Sequence, residues 1–157
     1  MTDKKSLPGN SGASEAATLE RSIPFLLHRI SDVFAKKMLD DLRPYGLSVA
    51  KWRVLSSIKS CGEMTIGELA AFIGLQQPVA SRVVSEMEAE KLLRRKSNKK
   101  DHRFTLVSLS RSGERLFAEV LPFVEARREQ AVSGLTKQQR LQMIAIVHRM
   151  ESNLGIR

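Results

Sequence analysis

Six cations, Arg94, Arg95, Lys96, Lys99, Lys100 and Arg103, fall within one ten-residue stretch. The chemistry open to such a run is contact with anions, and a phosphate backbone is the anion that a linear series of cations fits. In isolation a charge run reads as a solvated loop. The segment just before it changes that reading. Ala80, Val83, Val84 and Met87 repeat at helical spacing, which leaves Pro78, Ser81, Arg82 and Ser85 facing away from a core. A helix meant only to be solvated carries more Lys and Glu there. One that enters a major groove about 12 Å wide needs short side chains and a base-reading group, the part Arg82 is fit to play. Candidate DNA contacts are therefore Gln77, Pro78, Ser81, Arg82 and Ser85 on the helix, with Arg95, Lys99, Lys100 and Arg103 behind it.

Catalytic chemistry finds no comparable constellation. His28, His102 and His148 lie far apart without metal-ligand spacing, no Gly-rich loop follows a strand, and no Ser or Cys has an evident base. One cysteine cannot build the common zinc thiolate sites. We expect no enzyme, no cofactor and no metal.

The elements that must carry the basic run are legible from their caps. Thr65-Ile66-Gly67-Glu68 sets a hydroxyl and a carboxylate three residues apart, so each can satisfy an unpaired backbone N–H at a helix start. Ile66, Leu69, Ala70 and Ile73 then mark a helix of about two turns, stopped by Gly74. Pro78 suits the first position of the next helix, because its missing N–H has no partner there anyway. After Leu92 the period changes to two. Leu92 to Ser97 and Phe104 to Leu109 read as the strands of a hairpin, with the cations at its base and tip. Helix, turn, helix and basic ribbon in that order describe a winged helix-turn-helix over residues 48–110. A ribbon so placed can follow phosphates and put an arginine into the minor groove.

These residues, taken in series, resemble the MarR family of bacterial transcriptional regulators. The series is Leu47 to Leu55, Thr65 to Ala70, Ser81-Arg82, Glu88 to Arg95, Asp101-His102-Arg103, and Val107 to Ser110 with Gly113. It spans the chain from about Pro24 to Leu154. The resemblance implies a homodimer that binds a pseudo-palindromic operator, usually represses, and releases DNA when a small aromatic or acidic compound binds. It matches Ser81 and Arg82 to the recognition-helix pair, and Asp101 and Arg103 to the D-x-R element of the wing. Arg103 is then the minor-groove residue, and Asp101, also counted at the DNA site, orders the wing by pairing with an arginine. Two departures stand out. Lys91 replaces the glycine that commonly ends the recognition helix, where a left-handed cap costs about 1 kcal/mol relative to glycine, and His102 stands where arginine is frequent.

The 157 residues are enough for one domain, and 42% hydrophobic content fits a globular chain. A formal net charge of +9 and a pI of about 10.1 call for an anionic partner, DNA, RNA or a membrane surface. No apolar run long enough to span a bilayer and no signal-peptide arrangement occurs, so we expect a cytoplasmic protein without a membrane partner. Cys61 is the lone cysteine and fits a reducing compartment.

Outside residues 48–110 the pattern points to a dimer within a mainly α fold that has a small β-hairpin wing (α+β). Residues 1–18, rich in Ser, Gly, Asn and Ala, read as a disordered tail. Residues 19–157 read as a single domain, with dimerisation helices at 19–45 and 111–154. The first runs from about Ser22 to Arg43, ending before Pro44. A helix opening at Ser48 carries Trp52, Leu55 and Ile58 inward. A long helix, Arg111 to Ala131, should bend at Pro122. Thr136 to Gln139 form a second capping box, opening a last helix to about Ser152. There Leu141, Met143, Ile144, Ile146, Val147 and Met150 cover more than one face, which calls for a second copy as partner.

The resemblance also implies an effector pocket between the dimerisation helices and the DNA-binding lobe, for which His28, Arg29, Tyr45, Trp52 and Arg53 are candidates. Each has a simpler role available: Trp52 as a core aromatic, Tyr45 packing a turn. Two other functions stay open. A redox-responsive regulator would use Cys61, which needs an accessible thiolate near a positive group. A nonspecific architectural or RNA-binding protein would account for the charge alone.

Overall fold

Six α-helices and three strands follow the local signals closely in a computed structural model, which describes residues 20–97 and 105–156. The tail expected over residues 1–18 and the wing tip, with Lys99, Lys100, Asp101, His102 and Arg103, lie outside the described residues. In chain order the elements are α1 (Ile23–Leu42), a 3-10 turn (Arg43–Tyr45), α2 (Val49–Cys61), β1 (Met64–Thr65), α3 (Ile66–Ile73), α4 (Gln77–Ala89), β2 (Leu93–Ser97), β3 (Thr105–Leu109), α5 (Arg111–Ala131) and α6 (Lys137–Asn153).

Side-chain caps set the helix starts. Ser48, Thr65, Ser110 and Thr136 each accept a hydrogen bond from the backbone N–H three residues on, a contact worth about 1 kcal/mol per helix. Both predicted capping boxes form. At the first, the Thr65 N–H and hydroxyl both donate to Glu68, which holds that carboxyl below its usual range. Two expectations need correction. α4 starts at Gln77, so Pro78 is the second residue of the helix, where its missing N–H is equally harmless. The wing is part of a three-stranded antiparallel sheet of order β1-β3-β2, because Met64 and Thr65 pair with Val107 and Leu106. α5 continues through Pro122 as one helix.

The chain divides into two compact units, the first ending at Lys37 and the second beginning at Met38, both within α1. In the first, α1 exposes Ile23, Phe25, Leu27, Ile30 and Val33. In the second, α2 packs against α3, α4, α5 and β3. Leu42, Val54, Leu55, Leu69, Val84, Met87, Val107, Val120 and Val124 make its core, all essentially inaccessible. The inward residues of α4 are the predicted Ala80, Val83, Val84 and Met87. α6 buries no residue and is tied to α5 through Arg140, whose Nη1 lies 2.7 Å from Glu129 Oε2.

Asp41, near the end of α1, anchors α5. Arg127 donates to both its carboxylate oxygens, Nε at 2.9 Å and Nη2 at 2.8 Å, and donates through Nη1 to Gln130. The hydrogen-bonded guanidinium holds the Asp41 carboxyl below its usual range. A carboxylate whose pKa is lowered on folding stabilises the fold above its unfolded value, about 3.9, and loses that contribution as pH falls through the lowered one. We expect Asp41→Asn to melt below wild type at pH 7 and the two melting curves to converge in acid. A gap that does not narrow as the pH is lowered would show that the pair is not the origin.

Candidate nucleic-acid interface

The helix-turn-helix is built from α3 and α4 around the turn at Gly74. Gln77, Pro78, Arg82 and Ser85 are exposed on α4 and Ser81 is half-buried, so the five predicted helix residues share its outer side. No acidic residue occupies the first turn of α4. The positive end of the helix dipole is therefore not offset by a carboxylate in the helix's own first turn. Arg82 reaches outward, held among the described residues only by Glu86, whose Oε1 lies 3.9 Å from Arg82 Nε with both side chains at least half exposed.

Sequence reasoning missed Glu86 and Val79. Glu86 follows Arg82 by four residues, a spacing that puts both on one face, and was legible as such. Val79 is the one large apolar residue left exposed on α4, at 36%. An apolar side chain at that place can meet a thymine methyl.

The strands of the wing pair Leu93 with Leu109, Arg95 with Val107 and Ser97 with Thr105. Its base is less open to DNA than a count of charges suggests. Lys96 Nζ lies 2.6 Å from Glu63 Oε1, and Arg94 Nη2 donates to the Leu109 carbonyl at 3.2 Å. Arg95 Nη2 donates to Ser85 Oγ at 2.7 Å, and its Nε lies 3.0 Å from Glu88 Oε2 without its N–H aimed along that line. Ser85 in turn donates to the Ser81 carbonyl. Two predicted DNA contacts, Ser85 and Arg95, thus bond each other.

The end of α4 and the start of α5 meet in a backbone knot. Lys91 is left-handed at φ +61°, as expected from its glycine-like position, and it is the only non-glycine residue so placed among the described residues. The Ser110 hydroxyl donates to the Lys91 carbonyl at 2.6 Å and accepts from the Gly113 N–H at 3.0 Å, while the Ser110 N–H donates to the Leu92 carbonyl. Lys91→Gly is expected to stabilise the protein by about 1 kcal/mol by removing the left-handed strain, read as a higher urea midpoint. An unchanged or lower midpoint would mean that the glycine's extra unfolded freedom outweighs it.

Of the candidate effector residues, His28 pairs with Asp32 at 3.3 Å and Arg29 lies over the Phe25 ring, both along α1. Trp52 is buried and stacked on Phe117 at 5.1 Å between centroids, the core role its type suggested. Tyr45 tilts against Phe123 at 5.8 Å, and Arg53 is exposed on α2. Phe123 also lines an open cleft of about 380 Å³ with Asp41, Ala126, Arg127 and Gln130, which includes none of the five. Cys61, the last residue of α2, is exposed. Among the described residues no three His, Cys, Asp or Glu are grouped to hold a metal, and no helix is long and apolar enough to cross a membrane.

The family model described as MarR family matches residues 45–103, from the last residue of the 3-10 turn to just before β3. A MarR-family regulator from Silicibacter pomeroyi superposes with a TM-score of 0.82 at 28% identity, over 94% of this chain and 97% of that one. The chain is similar to MarR-family regulators in both sequence and fold. It is a DNA-binding transcriptional regulator of the winged helix-turn-helix type. Among curated relatives, the HTH-type transcriptional repressor MdtR of Bacillus subtilis is 27% identical over 135 residues, 86% of this chain and 87% of that one. The structure of CouR from Rhodococcus jostii bound to p-coumaroyl-CoA matches with a TM-score of 0.77 at 26% identity, over 84% of this chain and 93% of that one.

Proposed function

We propose that this MarR-like chain is a homodimeric repressor of a pseudo-palindromic operator, relieved by a small aromatic or acidic effector. The observation that carries the reading is the outer face of α4, where Arg82 stands among small polar residues beside the wing. Arg82 reads a base edge in the major groove, Gln77, Pro78 and Ser81 bring the helix close to the backbone, and Lys99, Lys100 and Arg103 of the wing contact phosphate and minor groove.

The apolar faces of α1 and α6 support the dimer. Ile30 and Ile146 are both exposed by more than half, and Leu141 and Ile144 are similarly open. A second copy would cover such faces and set two reading helices for half-sites about 34–36 Å apart. Repression is supported by the likeness to MdtR, and an aromatic effector by the likeness to CouR.

The test selects bound fragments from genomic DNA, then measures affinity for the best fragment and a shuffled version at two salt concentrations. A preferred inverted repeat, lost in Arg103→Ala, is the expected result, with affinity falling by about 10³ to 10⁵ between 50 and 200 mM salt if six to ten phosphates are neutralised. Equal binding to both fragments would make the protein a nonspecific nucleic-acid binder. Aromatic acids are then screened for release of the selected fragment. Peroxide release that disappears in Cys61→Ala would replace the aromatic effector with oxidation.

A further inference from the structure

The parity of β2 decides where its cations go. Leu93 is buried, and Arg95, two residues on, leaves the same side of the strand, whereas Arg94 and Lys96 leave the other. Arg95 accordingly reaches α4, not solvent, and its side chain is only 28% exposed. There it meets Ser85 at 2.7 Å and Glu88 at 3.0 Å, two residues one helical turn apart. Ser85 passes the connection back to the Ser81 carbonyl at 2.9 Å. One guanidinium therefore clasps the C-terminal half of the reading helix to the middle of the wing strand.

We infer that Arg95 is a positioning residue, which fixes the wing against the reading helix and leaves phosphate contact to other cations. The inference rests on the regulator reading and assigns Arg95 and Ser85 a different part in it. Glu88 already supplies the anion that Arg95 faces, and a phosphate brought to the same guanidinium would meet the Glu88 carboxylate as well. A helix and a ribbon that address adjacent grooves must also keep one separation, since base readout requires both to fit at once. Arginine donates to the hydroxyl through one nitrogen while another lies against the carboxylate as a charge, an arrangement that a single ammonium does not reproduce.

The test measures affinity for the selected fragment and its shuffled version over a salt series, for wild type, Arg95→Ala, Arg95→Lys and Ser85→Ala. A positioning role predicts that Arg95→Ala lowers the ratio of selected to shuffled affinity by about tenfold while affinity for shuffled DNA and its salt slope stay at wild-type values. Arg95→Lys keeps the charge and should not restore the ratio, and Ser85→Ala should lower it in part. A phosphate ligand predicts the reverse: both affinities fall together, the shuffled slope loses about one unit, and Arg95→Lys restores them. That result, or a ratio unchanged in every variant, overturns the inference. Ser85→Ala removes one exposed hydroxyl and keeps the test decisive if Arg95→Ala fails to fold. Equal binding of both fragments by wild type overturns the regulator reading before any variant is measured, and the inference with it.

Discussion

Gly113→Ala is expected to destabilise the protein by about 3 kcal/mol, the upper range for forced overpacking. A Cβ at this position would be driven into the Leu92 carbonyl oxygen and come within 3.1 Å of the carbonyl carbon. Both atoms are backbone, so no side chain can swing aside. Moving the carbonyl would also break its bond from the Ser110 N–H, and Gly113 is itself buried in the first turn of α5. Urea denaturation should show a lower midpoint with the slope preserved, the sign of lost stability without a change in exposed surface. A variant with the wild-type midpoint would mean that α5 does not approach Leu92 this closely in solution.

Arg82→Ala should have the largest effect on recognition, about 1–3 kcal/mol of affinity for the preferred operator if the guanidinium reads a base edge. Its stability cost should be small, because Arg82 is exposed and its contact with Glu86 is long. Repeating the fragment selection with the variant should yield a consensus degenerate at one position in each half-site. A variant that selects the wild-type consensus with uniformly weaker binding would make Arg82 a phosphate contact instead.

The parts of the fold that were legible are those written in short-range signals. Thr65 and Glu68, Thr136 and Gln139, and the apolar spacing from Ala80 to Met87 each lie within one or two helical turns, so their consequences are local. Lys91 was legible only through the resemblance, which puts a glycine at the end of that helix. β1 was not, because two residues carry no period and Met64 becomes a strand only when Val107 comes alongside. The stacking of Trp52 on Phe117 depends on α5 packing across α2, which no nearby spacing encodes.

The candidate site divides in the same way. That the outer face of α4 is exposed follows from helical geometry. The wing base does not, because Arg94, Arg95 and Lys96 were counted as charges before their partners were known. Strand parity already set Arg95 on the side of Leu93. Glu63, Ser85 and Glu88, which engage Lys96 and Arg95, became partners only once β3 paired with both β1 and β2 and β2 lay against α4.

The knot at Lys91, Leu92, Ser110 and Gly113 closes the whole hairpin into a loop pinned at its base. Chain length inside a closed loop is thermodynamically cheap, since each doubling adds only about 0.6 kcal/mol of closure entropy. Residues can therefore be inserted between β2 and β3, or that stretch exchanged for one from another regulator, without shifting α4 or α5. The wing is in this sense a replaceable cassette, whose length can vary while the rest of the chain stays fixed.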